Sequence, residues 1–257
     1  MKFVEQLDRA VEKNNSLLCV GLDVDLGRLP QKFLAGNDPI FLFNQEIIDA
    51  TKNFVCAYKP NSAFYEMYGL YGLSSLIKTI DYIHDAGLPV ILDAKRGDVG
   101  HSSNAYAKSA FEVFKADAVT VNPYMGHDSV QPFLDYQEKG VFVLCLTSNA
   151  GFKDFQLLGC DEPLYKTVAR HVKEWNHYGN CGLVVGATKP AEIKEIRKIA
   201  GEMPILIPGV GAQGGDLEKS VKYGGRRAVI NASRSILYSA DPGAEAKKLR
   251  DEMNKFR

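Results

Sequence analysis

The sequence predicts a (β/α)8 barrel, because eight short apolar runs alternate with amphipathic, helix-like segments along its 257 residues. Strands that lack polar alternation are buried on both faces, which is typical of a parallel sheet covered by helices. Eight strand–helix units in a chain of about 250 residues match the usual size of this barrel. An open, doubly wound sheet is the alternative fold, but it needs fewer strands or more residues outside the sheet.

The eight predicted strands are spread along the whole chain. They cover residues 17–23, 54–60, 89–95, 117–122, 141–146, 181–187, 204–208 and 227–231. Between them, helix-like segments follow, among others at 40–51, 74–86, 104–114, 162–177 and 191–199. No linker or low-complexity tract separates these units, so we expect a single domain over residues 1–257.

The charge balance argues against several classes of protein. The charges of the 31 basic and 31 acidic residues cancel, and no run is rich in Lys and Arg. The sequence therefore shows no basic patch of the kind that binds nucleic acids or membrane surfaces. No apolar run approaches the length of a membrane span. The first 14 residues interleave charges with apolar residues at helical spacing, unlike a signal peptide. We therefore expect a cytoplasmic protein that binds any anionic ligand through local contacts.

Cysteine and histidine give no sign of a metal site. The five cysteines form no CxxC pair and four lie in strand-like segments, which predicts reduced core residues. The five histidines lack metal-ligand spacing, and no GxSxG motif supports a serine hydrolase. We expect no metal and no nicotinamide cofactor.

The most informative segment is residues 93–98 (DAKRGD), where two acids and two bases directly follow an apolar strand. Alternate side chains of a strand share a face, so Asp93 and Lys95 point the same way, with Asp98 on the turn just beyond. Burying such charges is costly, and a buried ion pair is weak evidence for stability. The segment therefore predicts a catalytic site, with a structural salt bridge at the strand end as the plainer alternative.

Polar side chains also close or follow most of the other predicted strands. They are Asp23 at the end of the first strand, Lys59 and Asn61 at the end of the second, Asn122 at the end of the fourth, Thr147, Ser148 and Asn149 after the fifth, Gln213 after the seventh and Arg234 after the eighth. Active sites of (β/α)8 barrels gather at these strand ends, so we expect the side chains to converge. Taken singly, Asp23 and Asn61 are explained as well by turn or helix caps.

Residues 209–214 (GVGAQG) match the GxGxxG pattern of a dinucleotide-binding turn. A dinucleotide fold requires an acid at the end of the next strand, which here ends at Asn231, so that interpretation fails. Glycines still let backbone N–H groups approach an anion, and a helix predicted to begin near Asp216 would support it. Together with the planar cation of Arg234 in the following loop, these residues predict a phosphate site.

Four motifs taken together resemble the orotidine 5'-phosphate decarboxylase family. They are Lys59-Pro60-Asn61, Asp93-x-Lys95-x-x-Asp98, residues 208–213 (PGVGAQ) and Ser233-Arg234-Ser235. The likeness spans the whole chain, and the Arg-Gly pair at 96–97 resembles a branch with slightly longer chains. The Asp-x-Lys-x-x-Asp motif alone also occurs in related phosphosugar barrels. The resemblance implies conversion of orotidine 5'-phosphate to UMP and CO2 with no metal or organic cofactor.

The resemblance also implies a role for each matching residue. Lys95 would donate a proton to C6, and Asp93, Lys59 and Asp98 would complete an alternating charge network. In a homodimer, Asp98 would reach the partner's site. The implied substrate-binding residues are Asp23, Lys59 and Ser102 at the ribose, Ser148 and Gln213 at the pyrimidine or phosphate side, Gly211, Ser233 and Arg234 at the phosphate, and Asn61 and Pro208 within the matching motifs.

The chain departs from the family pattern at two positions. Ser102 stands where Thr is usual, which keeps the hydroxyl. Ala150 stands where the loop after the fifth strand often has Pro, which would loosen a lid formed by residues 148–161.

Three other functions are alternatives to the decarboxylase. A metal-dependent phosphosugar decarboxylase or aldolase on the same barrel predicts loss of activity on chelation. A Schiff-base aldolase is disfavoured, because Lys95 flanked by acids stays protonated. A catalytically silent sensor of nucleoside monophosphates predicts UMP binding without turnover.

Overall fold

The computed structural model describes residues 1–210 and 215–257, and its framework is eight parallel strands. The strands are β1 Leu18–Leu22, β2 Ala57–Pro60, β3 Ile91–Arg96, β4 Ala118–Val121, β5 Gly140–Leu146, β6 Cys181–Val185, β7 Ile205–Pro208 and β8 Ala228–Ala232. They form one sheet in the order β2-β1-β8-β7-β6-β5-β4-β3. Each predicted strand is present. The second begins three residues later than predicted, because Phe54, Val55 and Cys56 precede the first residue pair of the ladder with β1, Cys19 with Ala57.

The two ends of this sheet meet, which makes it a barrel. Tyr58 pairs with Val90 and Asn61 with Asp93 in parallel bridges between β2 and β3. The N–H of Tyr58 donates to the carbonyl of Pro89 at 3.1 Å, and the N–H of Ser62 to that of Asp93 at 3.2 Å. The predicted (β/α)8 barrel is confirmed.

Helices surround the barrel and fill the connections between strands. They are α1 Phe3–Asn14, α2 Gln31–Leu34, α3 Pro39–Thr51, α4 Ala63–Glu66, α5 Gly69–Asp85, α6 Gly100–Lys108, α7 His127–Leu134, α8 Leu164–Trp175, α9 Pro190–Ala200, α10 Leu217–Gly224, α11 Arg234–Leu237 and α12 Pro242–Met253. Helix α6 continues as a π-helical segment, Ser109–Val113. Helix α10 begins as predicted, because the Asp216 carboxylate accepts the N–H of Lys219 at 2.9 Å. Among the described residues, no helix is both long and apolar enough to cross a lipid bilayer.

The amino-terminal end of the barrel is closed by aromatic packing. Phe3 of α1 lies edge-on to Phe142 of β5, with ring centroids 5.7 Å apart. Two glycines make the space, since a Cβ on Gly140 would collide with the Phe3 ring and one on Gly182 with the Phe142 ring. This end is a packed core, which leaves the carboxyl end of the strands for the site.

We expect the Gly182→Ala variant to be destabilised by about 1–3 kcal/mol, because the core around it cannot accept another methyl group. The new Cβ would lie 2.6 Å from Phe142 Cδ1 and 2.9 Å from the carbonyl oxygen of Pro204. Adding Phe142→Leu should make the loss smaller than the sum of the two single changes. Urea unfolding gives the free energy of unfolding of all three variants. A Gly182→Ala protein as stable as wild type would contradict this packing.

Candidate active site

The Asp93 carboxylate binds two ammonium groups at the open end of the barrel. Lys59 Nζ lies 2.8 Å from its Oδ2 atom, and Lys95 Nζ lies 2.6 Å from its Oδ1 atom. Lys59 is 3% exposed and Asp93 8% exposed. The Lys95 side chain is 46% exposed, which makes it the most exposed of the three side chains. One lysine is thus buried inside the cluster, and the other lies at its exposed edge.

The ionisation of this cluster is fixed by its internal charges. Burial raises the pKa of Asp93, but Lys59 and Lys95 outweigh burial and hold that pKa well below its usual range. Burial lowers the pKa of Lys59, but Asp93 and Asp23 outweigh it and hold that pKa above its usual range. At neutral pH the pair is therefore a carboxylate and an ammonium ion.

Asp23 extends the alternation of charge beyond Lys59. Its Oδ1 atom lies 4.0 Å from Lys59 Nζ, and its Oδ2 atom accepts a hydrogen bond of 2.8 Å from the Ser233 hydroxyl. Gly21 brings these groups together, because a Cβ on it would lie 3.0 Å from the Ser233 Cβ atom. Asp23 Oδ1 is buried and accepts no hydrogen bond from a described residue, so it can accept one from a ligand hydroxyl.

Lys95 has a strained backbone. Its φ angle is +47°, in the left-handed region, which costs a residue other than glycine on the order of 1–3 kcal/mol. The pairing of β3 with β4 shifts register between Leu92 and Arg96, a bulge that redirects the strand. Such strain persists only where neighbouring contacts impose it, and it is concentrated at functional sites.

Thr120 supplies one of those contacts, although it is not among the residues predicted from the sequence. Its Oγ1 atom accepts the N–H of Lys95 at 2.9 Å and donates to Asp93 Oδ1 at 2.9 Å. One hydroxyl therefore fixes both the backbone of Lys95 and the carboxylate that its side chain binds. The signal in the sequence was a hydroxyl in the otherwise apolar β4, since buried hydroxyls require a partner.

The other predicted residues that the structure describes lie outside this charged cluster. Asn61 Oδ1 accepts the N–H of Ala63 at 3.2 Å, the turn-capping role that was its alternative explanation. Asp98 Oδ1 accepts the N–H of Val99 at 2.8 Å. Ser102 is exposed on α6, Ser148 is half-buried after β5, and Pro208 is the last residue of β7, in register with Asn231 of β8.

The residues predicted to bind phosphate are only partly described. Arg234 is exposed at the start of α11, and its guanidinium has no hydrogen bond or ion pair with any residue in the described ranges. The Ser233 hydroxyl is directed at Asp23 and at the Gly21 carbonyl, 3.0 Å away, so here it orients Asp23. Gly211 and Gln213 lie outside the described residues.

The segment after β5 is anchored at two points. The Gln156 amide oxygen accepts the N–H of Thr147 at 2.8 Å, and its amide nitrogen donates to the Thr147 hydroxyl at 2.8 Å. Phe152 is buried, with Lys189 Nζ 4.0 Å from its ring centre. A cavity of about 960 Å³ lies between this segment, the loop after β4 and α8. Gln156, also missed from the sequence, thus holds one wall of a cavity beside the barrel mouth.

These features define a class of protein: a (β/α)8-barrel enzyme whose site is a set of alternating buried charges at the carboxyl end of the strands. Within the described residues, no three His, Cys, Asp or Glu side chains are placed to hold a metal ion.

Comparison with known proteins identifies the family. Residues 16–249 match the family described as orotidine 5'-phosphate decarboxylase / HUMPS, and the chain belongs to it. The orotidine 5'-phosphate decarboxylase of Ralstonia pickettii is 51% identical, over 100% of both chains.

Solved structures are similar over nearly the whole chain. The OMP decarboxylase of Leishmania donovani is 41% identical, with a TM-score of 0.89 over 100% of this chain and 98% of that one. The orotidine 5'-monophosphate decarboxylase of Methanocaldococcus jannaschii, complexed with the inhibitor BMP, is 25% identical, with a TM-score of 0.73 over 92% and 98% of the chains.

We expect Asp93→Asn to lower the free energy of unfolding at pH 7 by about 3–5 kcal/mol, because Lys59 stays buried without its nearest counter-charge. The stabilisation from Asp93 is present above the unfolded pKa of about 3.9 and is lost as the pH falls toward its lower folded pKa. The difference in free energy of unfolding between wild type and variant should therefore become smaller below about pH 4.

Urea unfolding between pH 7 and pH 2.5 measures this difference. Asp85→Asn removes an exposed carboxylate at the end of α5 and is the matched control, with no expected change. A difference that stays constant over the whole pH range would show that the charge of Asp93 does not stabilise the fold.

Proposed function

We propose that this chain decarboxylates orotidine 5'-phosphate to UMP in de novo pyrimidine biosynthesis, without a cofactor. Membership of the family and the named activity of the Ralstonia pickettii relative support the reaction. The observation that carries the proposal is the Asp93 carboxylate with Lys59 and Lys95 both bound to it.

The reaction requires a fixed positive charge beside C6. When the bond from C6 to the carboxylate breaks, CO2 leaves and the electron pair stays on C6, in the plane of the ring, where conjugation cannot spread it. The Lys95 ammonium group stabilises this pair and then transfers a proton to it, which forms the C6–H bond of UMP. Solvent returns a proton to Lys95, whose half-exposed side chain it can reach.

Asp93 keeps Lys95 suited to this role. Its carboxylate stays ionised because of its lowered pKa, and it holds the Lys95 ammonium at 2.6 Å. A second acid, Asp98 of the neighbouring subunit, would face the same ammonium group. Both acids repel the carboxylate that the substrate loses and so favour its departure.

Binding is assigned to groups around the cluster. Asp23, Lys59 and Ser102 bind the ribose, Ser148 and Gln213 bind the pyrimidine or phosphate side, and Asn61 is a further substrate-binding residue. The phosphate is assigned to Gly211, Ser233, Pro208 and Arg234. The Arg234 guanidinium has no hydrogen bond or ion pair with a described residue, so it is suited to bind the phosphate oxygens. Binding energy from the remote phosphate then contributes to the transition state at C6.

The shared site requires a homodimer, and the surface around Asp98 is suited to one. Exposed apolar side chains lie in the segments that follow β2 and β3, with Met67 57%, Leu70 86% and Val99 54% exposed. An ion pair between Glu66 and Arg96 joins these two segments. Such a patch favours association of two copies, which would bring Asp98 of each to the other's site.

The ultraviolet absorbance of orotidine 5'-phosphate, which falls as the conjugated carboxylate is lost, tests the function directly. We expect turnover that is unchanged after treatment with EDTA, because Lys95 takes the place of a metal. Loss of activity with EDTA that Mg²⁺ restores would favour a metal-dependent enzyme. UMP binding without turnover would favour a sensor.

Arg234→Ala should weaken binding of UMP much more than binding of uridine, because the lost contact is to phosphate alone. We expect a loss of about 2–4 kcal/mol in transition-state stabilisation, measured from kcat/KM. Equal effects on nucleotide and nucleoside would place the phosphate elsewhere.

A mixture of two inactive variants tests the shared site. Lys95→Ala and Asp98→Ala should each abolish or severely impair turnover, but in a mixed dimer one site carries both defects and the other carries neither. Unfolding the two proteins and refolding them together should restore about a quarter of wild-type sites if pairing is random. Activity that stays at the level of the separate variants, with subunit exchange verified by a tag, would refute the sharing of Asp98.

A further inference from the structure

We propose that Arg96 is a positioning residue that holds the turn bearing Lys95 and Asp98 from outside the barrel. The proposal rests on the catalytic role assigned to Lys95 above and adds a residue to it. Arg96 itself points away from the charged cluster, toward the helices that follow β2 and β3.

The guanidinium of Arg96 joins three elements. It forms an ion pair with Glu66, the last residue of α4, and lies 5.2 Å from the ring centre of Tyr106 in α6. Arg96 is itself the last residue of β3. The strand end that carries the cluster is thereby tied to the two helical segments beside it.

The turn requires such an anchor because its backbone is strained and closely packed. Lys95 has a φ angle of +47°, with its N–H bound by Thr120. On the other side of Arg96, a Cβ on Gly97 would lie 3.1 Å from the carbonyl oxygen of Asn122, so this position favours glycine. The Arg96 carbonyl accepts the N–H of Asn122 at 2.7 Å.

Within residues 95–97, Arg96 is therefore the residue whose side chain can fix the turn to helices α4 and α6. Lys95 points to the cluster and Gly97 has no side chain. Asp98 and α6, which carries Ser102, follow directly. Loss of the Arg96 contacts would displace the ammonium group of Lys95 and the carboxylate of Asp98 together.

Stability alone does not explain the contact. In the single chain the two side chains are 30% and 40% exposed, and ion pairs at such exposure contribute little to its folding. A displacement of about 1 Å at a reacting group, in contrast, lowers a rate by up to about 100-fold. The contact should therefore act on turnover far more than on unfolding.

Arg96→Ala tests this directly in the dimeric enzyme. We expect kcat to fall between about 10-fold and 100-fold, with UMP affinity, thermal midpoint and dimer formation near those of wild type. Arg227→Ala is the matched control, because Arg227 binds Asp8 at 2.7 Å at the opposite end of the barrel. That variant should keep the wild-type kcat.

Two further variants separate positioning from folding. Glu66→Gln removes the ion pair from the other side, so it replaces Arg96→Ala if that protein fails to fold, and it should also lower kcat. The charge-swapped double variant Arg96→Glu with Glu66→Arg should recover part of kcat relative to Arg96→Glu alone.

Three results would overturn the proposal: a wild-type kcat in both Arg96→Ala and Glu66→Gln, a loss of kcat matched by loss of UMP affinity or of the dimer, or no recovery in the charge swap. Absence of turnover in the wild-type protein would instead refute the proposed function.

Discussion

The rest of the site depends on one carboxylate that binds two ammonium groups. Asp93 holds Lys59 at 2.8 Å and Lys95 at 2.6 Å in a region where Lys59 and Asp93 are almost fully buried. Removing that charge would leave a buried lysine without its nearest counter-ion and would free the half-exposed lysine to move. The contacts of this one carboxylate therefore set the ionisation of the cluster, the orientation of Lys95 and the stability of the region around Lys59.

The barrel separates stability from chemistry along its axis. At the amino-terminal end, Phe3 and Phe142 pack against positions where only glycine leaves room. At the carboxyl end, the chain holds a strained residue, a buried ion network and an orphan carboxylate oxygen on Asp23. These features are individually unfavourable, and a well-packed core at the opposite end allows the fold to retain them.

Much of this arrangement is predictable from the sequence, because it follows from local pattern. Apolar runs of strand length give the eight strands, and the polar residue after each run marks the mouth of the barrel. The predicted start of β2 is too early, because residues 54–56 are apolar, and Val55 and Cys56 are buried, yet all three precede the first paired residue, Ala57. Burial alone does not distinguish a strand from the chain that leads into it.

The contacts that the sequence does not reveal join residues that are separated along the chain. Thr120 and Gln156 act through partners 25 and 9 residues away, and neither is part of a recognisable motif. The positive φ angle of Lys95 arises from a shift in the pairing of β3 with β4, which composition does not predict. The roles of Gly211 and Gln213 remain predictions from the resemblance.

The proposed mechanism depends on the positive charge at position 95, which Asp93 holds in place. Chemical replacement tests it most directly, in a Lys95→Cys variant that also carries Cys160→Ser to remove the exposed cysteine. Aminoethylation of the introduced thiol restores an ammonium group on a side chain of nearly the same length, whereas propylation adds a neutral chain of similar shape. We expect turnover of orotidine 5'-phosphate to return after aminoethylation and to stay absent after propylation. Equal recovery with both reagents, or none with a fully aminoethylated protein verified by mass, would contradict it.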